Sequence, residues 1–280
     1  MSNIRIVTDS ACDLPQALVD QHGITVVPLS IRFGDEEYTD GVDLSVAQFY
    51  DKLATASTLP ETAAPAPGAF EAAFRRQQEA GADAVVCINL SSGLSATIQS
   101  AQNAAKAVAD DLDVRVVDSQ SITAGLGTQV MVAAEAAAAG ASADDIVATV
   151  ESLASRTHIF GALDTLDNLK KGGRIGGAQA LVGSLLSIKP ILDLSSGTVE
   201  EAGKARTRRK ALVWLRDKVF AEAEVEHLCI AHSNAPDVDD MLALLAPRYS
   251  ADQIRVTTIG PTIGTHGGPR LMGLTWVTPA

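Results

Sequence analysis

Aromatic residues are scarce in this chain: Phe, Trp and Tyr make up 4% of its 280 residues. Its core must therefore be built mostly from Ala, Val, Leu and Ile, and Ala-rich helices are cheap to form. There are three cysteines, Cys12, Cys87 and Cys229, far apart and with no CxxC. That argues against a thiolate zinc site or a redox pair, and Cys87 and Cys229 read as small core residues. Positive charge is in deficit, with Lys+Arg 22 against Asp+Glu 34 and a net charge of −12. That sign argues against nucleic acid and anionic membrane as main partners. No run of about 18 apolar residues is available to span a bilayer. The opening MSNIRIVTDS has no long apolar stretch of a signal peptide, so the expectation is a cytoplasmic protein without stable membrane insertion. HExxH, GxSxG, GxxxxGK[ST] and acidic pairs at metal spacing are all missing. A metal centre, a catalytic triad and ATP binding by this chain alone are not expected.

What is present is an alternation of strand and helix patterns. Apolar runs at Ile4–Val7, Ile24–Ile31, Ala84–Leu90 and Val114–Val117 read as strands. Helices are expected over about 15–21, 44–54, 69–80, 95–109, 123–139 and 143–155, the first with Asp13 as a plausible N-cap. Residues 55–68, with Pro60, Pro65 and Pro67, read as an extended loop. Such βα alternation predicts an α/β fold, a mostly parallel sheet with helices on both faces. Beyond His158–Leu163 the pattern changes. A Gly-rich segment, Gly172 to Gly177, leads to a helix ending near Ser187. A hairpin turns at Ser195-Ser196-Gly197, and helices over 207–223 and 238–245 lie among strands at 228–231 and 254–259. The expected organisation is residues 1–156 as an α/β domain and 157–280 as a smaller α+β domain.

Three strand ends share one character: Thr8-Asp9-Ser10, Ser91-Ser92 and Asp118-Ser119-Gln120-Ser121. In an open parallel sheet the carboxyl ends of strands lie on one edge, where ligands bind. Ser10, Asp13 and Ser121 read as helix caps. Ser91 and Ser92, doubled beside Gly93 between a strand and a helix start, read as ligands for an anion. Thr62 sits in the Pro-rich loop, and long loops in compact domains are often functional. Arg174, between paired glycines, could hold a phosphate or carboxylate with its planar fork. His266 lies among glycines that would let a ligand approach. Lys204, Arg206, Arg208, Arg209 and Lys210 crowd a helix start, where positive charge opposes the macrodipole, which suits docking of an outside partner.

In order and spacing these segments resemble the DegV family of bacterial fatty-acid-binding proteins. The matching stretches are Val7-Thr8-Asp9-Ser10, Thr62 with Pro65, Leu90 to Ser95, Val117-Asp118-Ser119, Leu169 to Ile175, Lys204–Lys210, and Gly260-Pro261 with His266. The resemblance implies a two-domain protein that buries a long acyl chain, with no catalytic residues, metal or cofactor of its own. It implies that Thr62 and Ser92 bind the fatty-acid carboxylate, with Ser91, Arg174 and His266 near the head group. It further implies a partner, a separate ATP-dependent fatty acid kinase subunit that phosphorylates the presented carboxylate and feeds phospholipid metabolism. One departure is visible: where the family's loop reads Thr-Ser-Gln-Pro-Ser, this chain has Thr62-Ala63-Ala64-Pro65-Ala66. The residues alone leave open a small hydrolase or phosphotransferase using Ser92 and His266, and a module that senses an anionic metabolite.

Overall fold

A computed structural model describes residues 3–280, with all side chains except those of 182–187. The chain starts with β1 (Ile4–Asp9), α1 (Gln16–His22) and β2 (Thr25–Val27). β3 (Ser30–Phe33), β4 (Glu36–Thr39), α2 (Val46–Thr55) and β5 (Glu61–Ala63) come next. α3 (Pro67–Glu79), β6 (Ala84–Asn89), α4 (Thr97–Ala107) and β7 (Asp113–Asp118) follow. The order of the first sheet is β2-β1-β6-β7, and every pair is parallel.

Alternation along these strands sorts the core. Ile4, Ile6, Val86 and Ile88 pack with Leu126, Val130, Ile146 and Val150, from α5 (Thr123–Ala138) and α6 (Ala143–Arg156). Val7, Val85 and Cys87 point the other way, onto Phe70 and Phe74 of α3 and Ala101 and Ala104 of α4. The fold is thus α/β, a parallel sheet covered on both faces, as the alternation predicts.

The second sheet is drawn from later strands: β8 (Thr157–Ala162), β9 (Lys189–Asp193), β10 (Glu200–Ala205), β11 (Glu226–His232), β12 (Arg255–Thr258) and β13 (Met272–Val277). Their order is β10-β9-β8-β13-β11-β12, antiparallel except for β11 with β12. α7 (Asp167–Lys171) follows β8, and a 3-10 segment spans Gly176–Ser187. α8 (Arg208–Ala221) and α9 (Val238–Leu245) cover one face, where Phe160, Ile230, Leu274 and Trp276 point. The opposite face turns toward α5: Ala124 packs with Cys229, Ala231 and Ile259. α5 is therefore apolar on several sides, as a helix between two sheets must be. α10 (Pro261–Gly267) runs from near the end of β12 toward β13.

Three readings change. The run Ile24–Ile31 is not one strand: it breaks at Pro28, and β3 joins β4 and β5 in a separate three-stranded sheet. The loop 55–68 contains β5, paired to β3 with Ile31 opposite Thr62. None of the three expected caps sits at an N-cap, and two of them have other work. Pro15 holds the N-cap of α1, and Ile122 that of α5. Asp13 instead accepts from the Gly260 N–H, and Ser10 donates to Asp40.

Candidate functional site

A cavity of about 190 Å³ lies between the α5-facing side of the second sheet and the carboxyl ends of the first. Its walls are largely Leu and Ile, from β8, β9, α7 and the connections around them, with Leu29, Leu90 and Ile122 from the first sheet's side. Its polar lining sorts by exposure. Thr62, Ser95, Arg174 and His266 are partly or fully exposed and mark the opening. Thr123, Thr262 and Thr275 are buried and belong to the inner wall.

At the opening, Thr62 Oγ1 and His266 Nε2 are 2.9 Å apart. β5 presents Thr62 because pairing to β3 fixes its register. α10 presents His266 from its last turn. The His266 ring fits only because residue 172 is glycine: a Cβ there would lie 2.4 Å from Nδ1. Burial, then the positive charge of Arg174, pulls His266 down to about 4. The imidazole is neutral near pH 7 and can act there only through hydrogen bonds. With the proton on Nε2, it donates to Thr62 and frees the threonine O–H for an anion. The Arg174 guanidinium donates to the carbonyls of Gly172 and Leu94, and no carboxylate among the described residues pairs with it. Ser95 sits at the start of α4, where its Oγ accepts from the Thr97 N–H and lies 2.9 Å from Thr97 Oγ1. Two hydroxyls, a neutral imidazole and an unpaired cation thus meet at the rim of an apolar hollow. That set suits an amphiphile with a negative head.

No group of three or more His, Cys, Asp or Glu among the described residues is placed to hold a metal. No helix among them is long and apolar enough to cross a membrane.

Comparison with known proteins matches residues 3–279 to the family model described as uncharacterised protein, DegV family. The chain belongs to the DegV family. A DegV domain-containing protein of Deinococcus radiodurans is 41% identical over 278 residues, covering 97% of each chain. Among solved structures, a fatty-acid-binding DegV family protein from Thermus thermophilus superposes with a TM-score of 0.90 at 33% identity, over 99% of this chain and all of that one. DegV of Bacillus subtilis, described as a fatty acid binding protein, gives 0.88 at 31% identity over the full length of both.

Of the residues expected at the head group, this DegV protein brings Thr62, Arg174 and His266 together, but neither Ser91 nor Ser92 lines the cavity. Ser92 is exposed, and its backbone N–H donates to the Asp118 carboxylate. Ser91 is buried in the opposite sense: its Oγ donates to the Gly197 carbonyl and accepts from the Gly93 N–H. Gly93 is required by that packing, since a Cβ there would lie 2.7 Å from Thr198 Cγ2. The Ser-Ser-Gly triplet therefore holds the 194–198 turn, and Ser95, three residues after Ser92, is the serine at the cavity. The sequence signal for Ser95 was its place just ahead of the helix start, one turn past the expected site.

Arg208 also leaves the set offered for docking. It is largely buried and forms a two-pronged pair with Asp237, holding α8 to the segment before α9. Lys204, Arg206 and Arg209 are exposed. Sequence reasoning missed a cluster of buried carboxylates. Asp9 accepts from the N–H groups of Leu90 and Ala11 and from the Asn89 side chain. Asp40 accepts from Ser10 and Thr262. Burial outweighs these bonds and raises Asp9 and Asp40 to about 6, and raises Asp13 well above the ordinary range.

Proposed function

We propose that this DegV-family protein binds a long-chain fatty acid in the cavity between its two units, residues 1–156 and 157–280, with the carboxylate held at the opening by Thr62 and Ser95 and faced by His266 and Arg174. The observation that carries this reading is the unpaired Arg174 cation and the Thr62–His266 pair at the rim of a Leu- and Ile-lined cavity. Fatty-acid binding by the Thermus thermophilus and Bacillus subtilis relatives supports it. Each buried methylene contributes about 0.8 kcal/mol before ordering costs, so the tail sets affinity. Hydrogen bonds to the charged head, about 1.5–3 kcal/mol each, set register. The bound acid is then handed, still as a carboxylate, to a separate ATP-dependent kinase that makes the acyl phosphate. Exposed Lys204, Arg206 and Arg209 on an otherwise acidic chain suit an acidic face of that partner.

A hydrolase or phosphotransferase built on Ser92 and His266 fits less well, because Ser92 stands outside the cavity. Thr62 is the hydroxyl beside His266, yet that imidazole is a weak base and its Nδ1 has no orienting partner among the described residues. Mass spectrometry of protein purified natively is the test. Bound fatty acid, and rebinding after delipidation, is the expected result. Protein that carries no lipid and ignores fatty acids at micromolar concentration overturns the reading.

A further inference from the structure

Two buried hydroxyls lie in the apolar part of the cavity: Thr275 Oγ1 has no hydrogen-bond partner among the described residues, and Thr123 Oγ1 is within reach only of the Asp13 carboxyl. Thr275 is 2% exposed and Thr123 is 4% exposed. Thr275 is on β13 between Ile159 of β8 and Cys229 of β11. Its neighbours Leu274 and Trp276 point into the core under α8, so Thr275 points to the cavity face. A valine would fill the same space without burying a lone hydroxyl. Thr123 adopts φ 45, a left-handed backbone that β-branched residues rarely enter. Strain of that kind is kept where the surroundings demand it, and it clusters at ligand sites.

The two hydroxyls share one end of the cavity. Ile159, beside Thr275, lies against Gly125, and Cys229, its other neighbour, packs with Ala124. Behind Thr123 stands the buried Asp13 carboxyl, within hydrogen-bonding reach of its hydroxyl. Thr123 can turn its proton to Asp13 and leave Oγ1 lone pairs toward the cavity, while Thr275 offers an O–H. One donor and one acceptor together match an alcohol, which both donates and accepts. A ketone only accepts, and a methylene does neither.

We propose that Thr275 and Thr123 form a second polar station that selects long-chain acids carrying a mid-chain hydroxyl group. This rests on the fatty-acid reading above and names the class of acid. The depth follows from the strand. Leu271 touches α10 at Gly267, next to His266, and Thr275 lies four residues farther on. At ~3.3 Å per residue that is about 13 Å. An extended alkyl chain of ~1.5 Å bonds advances roughly 1.3 Å per carbon, which places the station roughly ten carbons from the head.

Delipidated protein is titrated with octadecanoic acid, its mid-chain cis-alkene, its mid-chain ketone, and a series with one hydroxyl moved carbon by carbon. The expected result is a single preferred hydroxyl position near the middle, bound about tenfold more tightly than the plain acid. The ketone gains less and the alkene binds like the plain acid. Thr275→Val abolishes the affinity ratio between the hydroxylated and the plain acid, and Thr275→Ser restores part of it. A thermal melt of Thr275→Val at or above that of the parent shows that folding is not the cause. Equal affinity for plain and hydroxylated acids, or a preference that survives Thr275→Val, overturns the station while leaving the carrier reading intact. Failure of every acid to bind overturns the carrier reading, and the station with it.

Discussion

The two ends of α10 are both polar, yet they are finished differently. At its start every donor named has an acceptor: the Gly260 N–H gives to Asp13, Thr262 to Asp40, and Tyr50 reaches over to the carbonyl of Ile259. At its other end His266 has one ring nitrogen on Thr62 and the other, among the described residues, without a partner, beside an arginine with which no described carboxylate pairs. Buried polar groups are costly unless paired. The saturated end is thus a clamp that holds the helix to the first sheet's loops, and the unsaturated end is the one with valence left for the proposed ligand. Composition does not separate them, since both are Thr, Ser and charged residues near strand ends. Valence does.

The buried carboxylate beside the clamp should give the largest effect. Asp9 anchors the segment beside it by three accepted bonds in a fully buried place. Asp9→Ala leaves three donors unpaired and is expected to destabilise the protein by about 3–5 kcal/mol in chemical denaturation. A loss below 1 kcal/mol would mean that the segment from Asp9 to Ala11 does not depend on this carboxylate.

Asp40 gives the next effect, and its sign is opposite. Burial raises its folded pKa to about 6, above the 3.8 of the unfolded chain. Between those values the folded protein keeps a proton that the unfolded chain has released. Asp40 therefore makes stability fall as pH rises from about 4 through about 6, and Asp9 acts in the same direction. Two pKa units correspond to about 3 kcal/mol for each group as an order of magnitude. His266, lowered to about 4 from 6.5, opposes this by losing stability as pH falls through the same window. Asp40→Asn keeps an oxygen for Ser10 and Thr262 but cannot ionise. It should flatten the pH 4–6 slope and stabilise the protein at pH 7 by about 1–3 kcal/mol. An unchanged slope in melts across pH would show that another group sets it.

How much of this was legible in the sequence depends on what carries each feature. Sheet strands with apolar runs, such as Ala84–Leu90, and Ala-rich helices, such as α5, declare themselves through periodicity. β5 does not, because Glu61-Thr62-Ala63 becomes a strand only by pairing with β3. α10 does not, because Gly264 and Gly267 dilute any helical signal. Thr62, Arg174 and His266 stand out locally by their Pro- or Gly-rich settings. Ser91 and Ser92 stood out for the same reason and proved to lie outside the cavity, since a tight Ser-Ser-Gly turn can serve a neighbouring turn as well as an anion. The carboxylate clamp was illegible because its partners lie far away in sequence, as with Asp40 and Thr262.

At the unsaturated end Arg174 should matter most among the single side chains. Arg174→Ala removes the only guanidinium among the described lining residues, and affinity for a fatty acid is expected to drop by about 1.5–3 kcal/mol. Salt should weaken binding to the parent more than to the variant. Because His266 is neutral, binding should vary little between pH 7 and pH 5.5 as far as this histidine is concerned. A steep change there that disappears in His266→Ala would mean that the imidazole carries charge in the complex. The residues proposed for kinase docking divide in the same way. Arg206→Glu with Arg209→Glu should slow acyl-phosphate formation by a kinase while leaving fatty-acid affinity alone. Arg208→Ala should instead cost folding stability, because it strips Asp237 of its partner.

The smallest expected effect draws the sharpest line, because it compares two serines three residues apart. Ser95 lines the opening, and its Oγ already accepts from the Thr97 N–H. With the Thr97 hydroxyl as donor across their 2.9 Å contact, Ser95 keeps its proton for a ligand, and Ser95→Ala should weaken fatty-acid binding by about 1–2 kcal/mol. The same change loosens the start of α4 by about 0.5–1 kcal/mol, so stability must be measured beside affinity. Ser92 is exposed, and its backbone rather than its hydroxyl does the bonding, through the N–H on Asp118. Ser92→Ala should leave both quantities within about 0.5 kcal/mol of the parent. If calorimetry finds the larger loss in Ser92→Ala, the carboxylate approaches from the solvent side of the Ser-Ser-Gly turn. The unsaturated end of α10 would then not be where the head group sits.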